Sequence, residues 1–357
     1  MALQRTALHE TAGGNMQERF GWELPATITT LSSEYSAATT GTAVHDLSYA
    51  GRLHATGADV LDLLNRLSTN KVDELESGHG APTILTSDSG RIIDLIQVVN
   101  MGNHILLITS PGTQQTTIDW LDKYTIMEDL EVDDHTTTTV MLKLLGPGSC
   151  QWLEQNAGIG LTDLLPYGML PAQIAKISVQ VIDKPLGRKP GFAILVSNAD
   201  APALWTNMVE MGVTPIGTDA YETLRVESAV PAYGTEMGES YNPLEAGLIG
   251  SIDFAKGCYI GQEVIARLDT YQKVQKYLVT LRFSKASAPT PGLGLMSDGR
   301  VVGRVTSLGP IPKDGYVNGL GYVRKALALE GTRLEMEPPG EGSAEITGFS
   351  QLFGPGV

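Results

Sequence analysis

Apolar residues recur at helical spacing over 56–68, where Val60, Leu61, Leu63, Leu64 and Leu67 fall on one stripe. The pattern then changes period. Residues 90–99 are rich in Ile and Val after the turn signal Ser87-Asp88-Ser89-Gly90, and they predict a β-strand. A short buried strand is expected over 104–108. Ser110-Pro111 follows as a helix cap with proline at the first helical position, opening a helix that runs to about Tyr124. The same grammar returns later: a strand over 192–196, Asp200 as a cap with Pro202 just inside, then a helix with Leu204, Trp205, Met208 and Val209. Gly212 sits where a left-handed C-terminal cap belongs. Two such units, each with a Trp in its helix, suggest a weak internal duplication, although any α+β protein repeats this grammar.

From about Ser284 the texture differs. Residues 285–294 are rich in Ala, Pro and Gly and read as a linker. Short strand signals follow at 303–307, 319–323 and 332–336. Asp298-Gly299 is a hairpin dipeptide between Leu295-Met296 and Val301-Val302, and Pro338-Pro339-Gly340 reads as a turn. A small β-rich C-terminal domain is expected, with fraying at Gly354-Pro355-Gly356.

Composition narrows the function classes. The 357 residues suffice for two to three domains, at ~150 residues each. Lys and Arg number 25 against 40 Asp and Glu, a formal charge of −15. That balance argues against coating nucleic acid or docking on anionic lipid, both of which need a basic footprint. Cys150 and Cys258 make neither a disulfide framework nor a zinc spacing, and the six histidines form no H-E-x-x-H pair. No metal site is expected. Residues 1–14 lack an apolar signal core and no run of ~18 apolar residues occurs, so a cytoplasmic, reducing location without membrane contact is the expectation.

The strongest chemical signal is 242–267, NPLEAGLIGSIDFAKGCYIGQEVIAR. Lys256 lies two residues from the Cys258 thiol, across Gly257. Gly261 is a plausible cap for a helix whose first turn holds Gln262 and Glu263 and whose apolar face holds Val264, Ile265 and Leu268. A thiol near a lysine and a helix N-terminus can be reactive. The other reading is a small buried residue in a turn. A second signal is Asp94, a carboxylate between Ile92-Ile93 and Leu95-Ile96, costly there unless bonded. It either faces a pocket or ends a strand in solvent or in a turn cap.

The K-G-C-Y-I-G-Q-E stretch resembles the signature of the YgfZ-type folate-binding proteins, members of the superfamily of the glycine-cleavage T-protein, an aminomethyltransferase. The resemblance covers nearly the whole chain. Phe20-Gly21-Trp22-Glu23-Leu24-Pro25 is similar to the T-protein's F-x-G-W-x-x-P. His45-Asp46-Leu47-Ser48 is similar to F-D-x-S, and Gly57-Ala58-Asp59 to G-x-D-A. The stretch G-R-I-I-D-L-I at 90–96 resembles the segment that holds that enzyme's catalytic aspartate, and Leu145-Gly146-Pro147 resembles L-Q-G-P. Residues 223–234 resemble T-L-R-L-E-A-G-x-P-x-x-G, and Gly303 to Ser307 with Gly321-Tyr322-Val323 resemble the C-terminal barrel. Departures are also present. One aspartate stands where the T-protein has two, Ala193 replaces a folate-contacting glutamate, and Tyr221 replaces an arginine.

The resemblance implies an α+β cloverleaf of two interleaved lobes plus a β-barrel-like domain. The folate-binding region would span 1–275, with lobes 1–50 with 140–240 and 51–139 with 241–275, and the barrel 276–357. It implies tetrahydrofolate, or a one-carbon derivative, as the bound cofactor. Asp94 would hydrogen-bond a pterin amino group or steer a proton near a folate nitrogen, and Tyr233 and Tyr259 would stack on the ring. Arg225, Lys256 and Arg267 would supply cations for an anionic ligand, with Gln262 and Glu263 beside them. Arg225 and Glu227 read as an alternating extended segment, where pairing with neighbours is the plainer role. The first function implied is YgfZ-like support of iron–sulfur enzyme maturation or repair, with Cys258 as the functional thiol, iron–sulfur proteins as clients and tRNA modification affected only indirectly. One cysteine cannot hold a cluster alone. The alternative is a tetrahydrofolate-dependent one-carbon transferase, an aminomethyltransferase of glycine cleavage or a demethylase. A scaffold without ligand is the third.

Overall fold

A computed structural model describes residue 8 and residues 14–284, 288–312, 314–340 and 342–350. The chain divides into two compact units, one of residues 1–85 and 94–221, the other of residues 86–93 and 222–357. The fold is mixed α+β and ends in a closed six-stranded β-barrel.

In the first unit a six-stranded sheet runs in the order Met169–Ile174, Ile177–Asp183, Gly191–Ser197, Thr139–Leu145, Ala43–Asp46 and Thr214–Pro215, antiparallel except for the last pair. Its inner strands Gly191–Ser197 and Thr139–Leu145 are covered on both faces and mostly apolar, while the edge strand Met169–Ile174 alternates buried and exposed. Along Thr139–Leu145 the side chains alternate. Leu142 and Leu144 join a core with Trp152, Leu153, Leu204, Trp205 and Met208 from the helices Ser149–Ala157 and Ala201–Glu210. Met141 joins the opposite core, with Ile182, Ala193 and Leu195 of the same sheet and Val99, Leu106 and Ile108. Those last three come from the five-stranded sheet ordered Gly80–Thr86, Ile92–Asn100, Ile105–Thr109, Gly51–Thr56 and Glu131–Asp134.

The expected elements form with shifted ends. The helix expected over 56–68 is Val60–Leu67, with Val60, Leu63, Leu64 and Leu67 buried. Asp200 precedes the helix Ala201–Glu210, and Gly212 adopts φ +86° beyond it. Ser110-Pro111 does not open a helix. The helix is Gln114–Tyr124 with Thr113 before it, and Thr113 makes no side-chain cap bond. Its hydroxyl is committed elsewhere, as shown below.

In the second unit the barrel closes in the order Lys276–Ser284, Tyr316–Arg324, Arg300–Leu308, Gly294–Ser297, Arg333–Met336 and Ser343–Phe349. Val279, Leu281, Phe283, Val305, Val323 and Ile346 fill it. Asp298-Gly299 is a two-residue turn with φ +49° and +70°, the backbone that a right-twisted hairpin needs. Part of the expected linker, 285–287, and the expected fraying at 354–356 lie outside the described residues.

Three imidazoles stack on the five-stranded sheet. His54 lies between His104 and His135, with both centroid separations 3.9 Å. Burial, then the two neighbouring rings and Arg52, lower His54 from 6.5 to about 4. The unfolded chain therefore takes up this proton first as pH falls, and stability drops between pH ~6.5 and ~4. His54→Phe is expected to remove about 1–2 kcal/mol of the acid-induced loss between pH 7 and 4.5, allowing for partial exposure. Urea titrations at the two pH values check it; equal losses in both proteins would exclude the stack as the source.

Candidate functional site

The first unit holds a buried polar cluster inside an otherwise apolar core. Asp94 stands on Ile92–Asn100 and is fully buried. Its Oδ2 accepts from the Ser110 amide at 3.1 Å and from Thr113 Oγ1 at 2.6 Å. This is where the Thr113 hydroxyl goes instead of capping its helix. Oδ1 is buried without a hydrogen-bond partner. Burial pushes the carboxyl up to about 6, and the bonds from Ser110 and Thr113 oppose the rise. The alternative of a strand-end aspartate in solvent is thereby excluded; the alternative of a turn cap is met, since both bonds come from the turn that Thr113 N closes on the Ser110 carbonyl.

Two lysines, unanticipated from the sequence, lie in the same unit. Lys143 is 1% exposed and occupies the row Ile182, Ala193, Lys143, His45 across four strands. Its Nζ donates to the carbonyl of Lys184, and burial holds the amine well below its ordinary range. Lys184 is partly buried and donates to Gln97 Oε1 at 3.2 Å. Burial lowers it to about 8, against the raising charges of Asp94 and Asp183. Gln97 is fixed in turn, its Nε2 donating to the carbonyls of Tyr167 and Asp183, both at 2.9 Å.

An aromatic row lies at the edge of this core. Tyr221 stacks on His45 at 4.4 Å, and His45 Nε2 meets Tyr49 Oη at 3.1 Å. Tyr49 stacks on Phe20 at 5.3 Å. Phe20 is 46% exposed, raised at the tip of the hairpin Asn15–Arg19 and Trp22–Thr27. The flat rings of this unit were not anticipated. Tyr233 and Tyr259, the rings expected to stack on a ligand, belong to the other unit.

The second unit carries the remaining sequence candidates. The helix Gln262–Thr270 begins after Gly261, as expected. Lys256 lies over the buried Tyr259 ring at 5.3 Å. Tyr233 is partly buried beside Met237. Gln262 opens the helix, its amide bonding the carbonyl of Tyr259 at 3.2 Å. Glu263 and Arg267 pair on its exposed face at 3.3 Å. Cys258 is exposed, so the reading of it as a buried turn residue is corrected. Arg225 is also corrected: it lies on the helix Thr218–Glu227, not on an extended segment. The two-residue alternation of Leu224 and Val226 masked a helical spacing of the buried Ala220, Thr223 and Leu224. Its guanidinium binds Glu222, Glu236 and Ser307.

Within the K-G-C-Y-I-G-Q-E stretch the two glycines differ. Gly261 has φ +83°, and a Cβ there would lie 2.5 Å from the Ser87 carbonyl and 3.1 Å from Gly90 Cα. Gly257 has open space and no positive φ. Gly261→Ala is expected to cost about 2–4 kcal/mol through strain and backbone clash, and Gly257→Ala less than about 0.5 kcal/mol. Thermal melts of the two variants check this; equal shifts would remove the distinction.

The model of the GCVT N-terminal domain matches residues 6–256. A chloroplastic protein of Arabidopsis thaliana that carries a transferase name is 36% identical over 295 residues, covering 82% of this chain and 67% of that one. An aminomethyltransferase from Bacillus licheniformis is 30% identical over 346 residues, 94% of each chain. The crystal structure of the glycine cleavage system aminomethyltransferase T from Bartonella henselae superposes with TM-score 0.86 over 99% of this chain and all of that one, at 22% identity, which shows a shared fold. With more than half its length matched by the family model and a relative covered almost end to end, the chain belongs to the GCVT N-terminal domain family, in the glycine-cleavage T-protein superfamily.

Proposed function

We propose that this protein is a tetrahydrofolate-dependent one-carbon transferase whose reacting centre is built around Asp94. The observation that carries the reading is the Asp94 carboxyl: fully buried, held through one oxygen by Ser110 and Thr113, and left with the other unpartnered. Reduced folate, when bound, supplies ring and side-chain nitrogens that accept the one-carbon unit. The chain supplies orientation and proton control. Ser110 and Thr113 fix the carboxylate plane, so that Oδ1 is the oxygen left to take or return a proton at a ligand nitrogen. A carboxyl near 6 exchanges protons close to neutral pH, as a general acid–base group requires. Phe20 offers an exposed flat apolar ring, backed by the buried Tyr49. The names of the aminomethyltransferase relatives support aminomethyl as the transferred group. The test is a titration of the reduced, full-length protein with tetrahydrofolate, followed by a glycine-cleavage assay with the H-protein. Binding with ammonia release and methylenetetrahydrofolate formation supports the reading, and absence of folate binding overturns it.

A second reading rests on the exposed Cys258 within K-G-C-Y-I-G-Q-E: YgfZ-like support of an iron–sulfur enzyme, with a client supplying the other cluster ligands. It predicts that Cys258→Ser fails to restore such an enzyme in a deletion strain, while Asp94→Asn restores it. Full rescue by Cys258→Ser removes this reading and leaves the transferase standing. No described helix is long and apolar enough to cross a membrane. A cytoplasmic location stays part of the proposal.

A further inference from the structure

We propose that Arg19 and Phe20, at the tip of the hairpin Asn15–Arg19 and Trp22–Thr27, bind an aromatic ring that carries a carboxylate: in folate, the 4-aminobenzoyl-glutamate tail. The assignment rests on the folate reading above. It begins with backbone strain. Arg19 pairs with Trp22, so Phe20 and Gly21 are the two central residues of the turn, at φ +56° and +77°. Asn-Gly suits such a turn, and a bulky aromatic residue at positive φ is strained. Strain of this kind persists where something else requires the side chain. Packing accounts for one face of the ring, where Tyr49 stacks. The side chain is still 46% exposed, and a Cβ at Gly21 would meet nothing within 4 Å, so open space lies beside it.

The stack is fixed from below. Phe20 lies on Tyr49 at 5.3 Å with the planes 14° apart, and Tyr49 is 6% exposed. The Tyr49 hydroxyl meets His45 Nε2 at 3.1 Å, and His45 Nδ1 meets the Ile216 carbonyl at 3.2 Å. A carbonyl only accepts, so Nδ1 carries the proton, Nε2 accepts and the tyrosine hydroxyl donates. A second flat ring therefore finds a pre-formed surface. Beside it, Arg19 Cζ stands 5.8 Å from the Phe20 centroid. Among the described residues the guanidinium makes no hydrogen bond and no ion pair, although Glu18 and Glu23 face each other one register position away. The cations expected for an anionic ligand are committed in the other unit: Arg225 to Glu222 and Glu236, Arg267 to Glu263, and Lys256 over Tyr259. Arg19 shares its unit with Asp94. Tyr49 stands two residues before Gly51, which pairs with Thr109, and the next residue, Ser110, bonds Asp94. A guanidinium beside an open aromatic face matches a carboxylate beside an aromatic ring. The tail of folate has both, and Asp94 Oδ1 keeps its role at the ligand nitrogens.

The experiment measures dissociation constants of the full-length protein for tetrahydrofolate and for 6-methyltetrahydropterin, which lacks the tail, anaerobically at pH 7. Wild type is expected to bind tetrahydrofolate more tightly by about tenfold or more. Arg19→Gln and Phe20→Asn are each expected to weaken tetrahydrofolate by about three- to tenfold and to leave the pterin within about twofold. Asn suits the turn, so its effect reports the lost ring rather than a broken hairpin. Added salt should weaken tetrahydrofolate in wild type and leave Arg19→Gln unmoved, since the screened charge is gone. Equal losses for both compounds mark a structural effect and overturn the assignment, as do folded variants that bind tetrahydrofolate like wild type. Equal affinity of wild type for the two compounds overturns it while the folate reading stands. Failure of wild type to bind either compound removes both.

Discussion

Asp94→Asn is expected to slow folate-dependent transfer by about two to four orders of magnitude, the usual contribution of a positioned acid–base group. The substitution is nearly isosteric. Asn keeps an oxygen for the Ser110 amide and the Thr113 hydroxyl, the two bonds that fix the wild-type side chain. It loses the charge and the exchangeable proton. Fold and tetrahydrofolate binding should therefore persist, with the loss confined to turnover. The wild-type rate should fall below about pH 6, as the carboxylate becomes protonated. A stability measurement gives an independent check. The folded value, about 6, lies above the ordinary 3.8, so the native state favours the protonated carboxyl. The resulting stabilisation is full below about pH 4 and is lost as pH rises through 6. Asp94→Asn should therefore gain stability relative to wild type between pH 4 and 7.5, by about 2–3 kcal/mol. A variant that is slower and yet more stable at neutral pH is the signature of a group kept for chemistry rather than for folding. Full transfer activity in Asp94→Asn would remove Asp94 from the reacting centre, whatever the stability result.

The sequence disclosed most of the elements because their signals are local. The Asp298-Gly299 turn, the Gly212 cap and the stripe of the Val60–Leu67 helix each depend on a few adjacent residues. Ser110-Pro111 misled because a cap residue was chosen by type, while the hydroxyl three residues on was needed by a carboxylate sixteen positions upstream of Ser110. Arg225 misled because four residues of alternation looked like a strand, and only the ten-residue window shows the helix. Asp94 was legible as a charge between four branched apolar residues. The same signal was present at Lys143, a lysine inside T-V-M-L-K-L-L, and went unused. Lys184 had no such signal. Its meaning depends on Gln97, eighty-seven positions away, and on backbone carbonyls that no side-chain pattern encodes. The exposure of Cys258 was equally illegible, since a glycine-flanked turn can face inward or outward.

Glu236→Ala is expected to cost about 3–5 kcal/mol, the largest stability loss of the variants considered. Glu236 is fully buried and its carboxylate gathers four donors: Arg225 at 3.2 Å, Ser307 at 2.6 Å, the Ala232 amide at 3.0 Å and Thr235 at 2.7 Å. Arg225 is itself buried, and its remaining bonds go to Glu222, Ser307 and the Val230 carbonyl. These contacts tie the helix Thr218–Glu227 to the barrel strand Arg300–Leu308. The pair need not be worth its apparent strength, because two charges have been taken out of water to make it. Most of the cost of Glu236→Ala comes from the guanidinium left behind, which loses its buried counter-charge and cannot shed its proton at neutral pH. The double variant Glu236→Met with Arg225→Met separates the two effects. Replacing both charges with apolar groups of similar length should recover at least half of the single-variant loss. Denaturant titrations of wild type and the two variants give the comparison. If the double variant is as unstable as Glu236→Ala alone, the bonds to Ser307, Ala232 and Thr235 hold this region together and the ion pair does not.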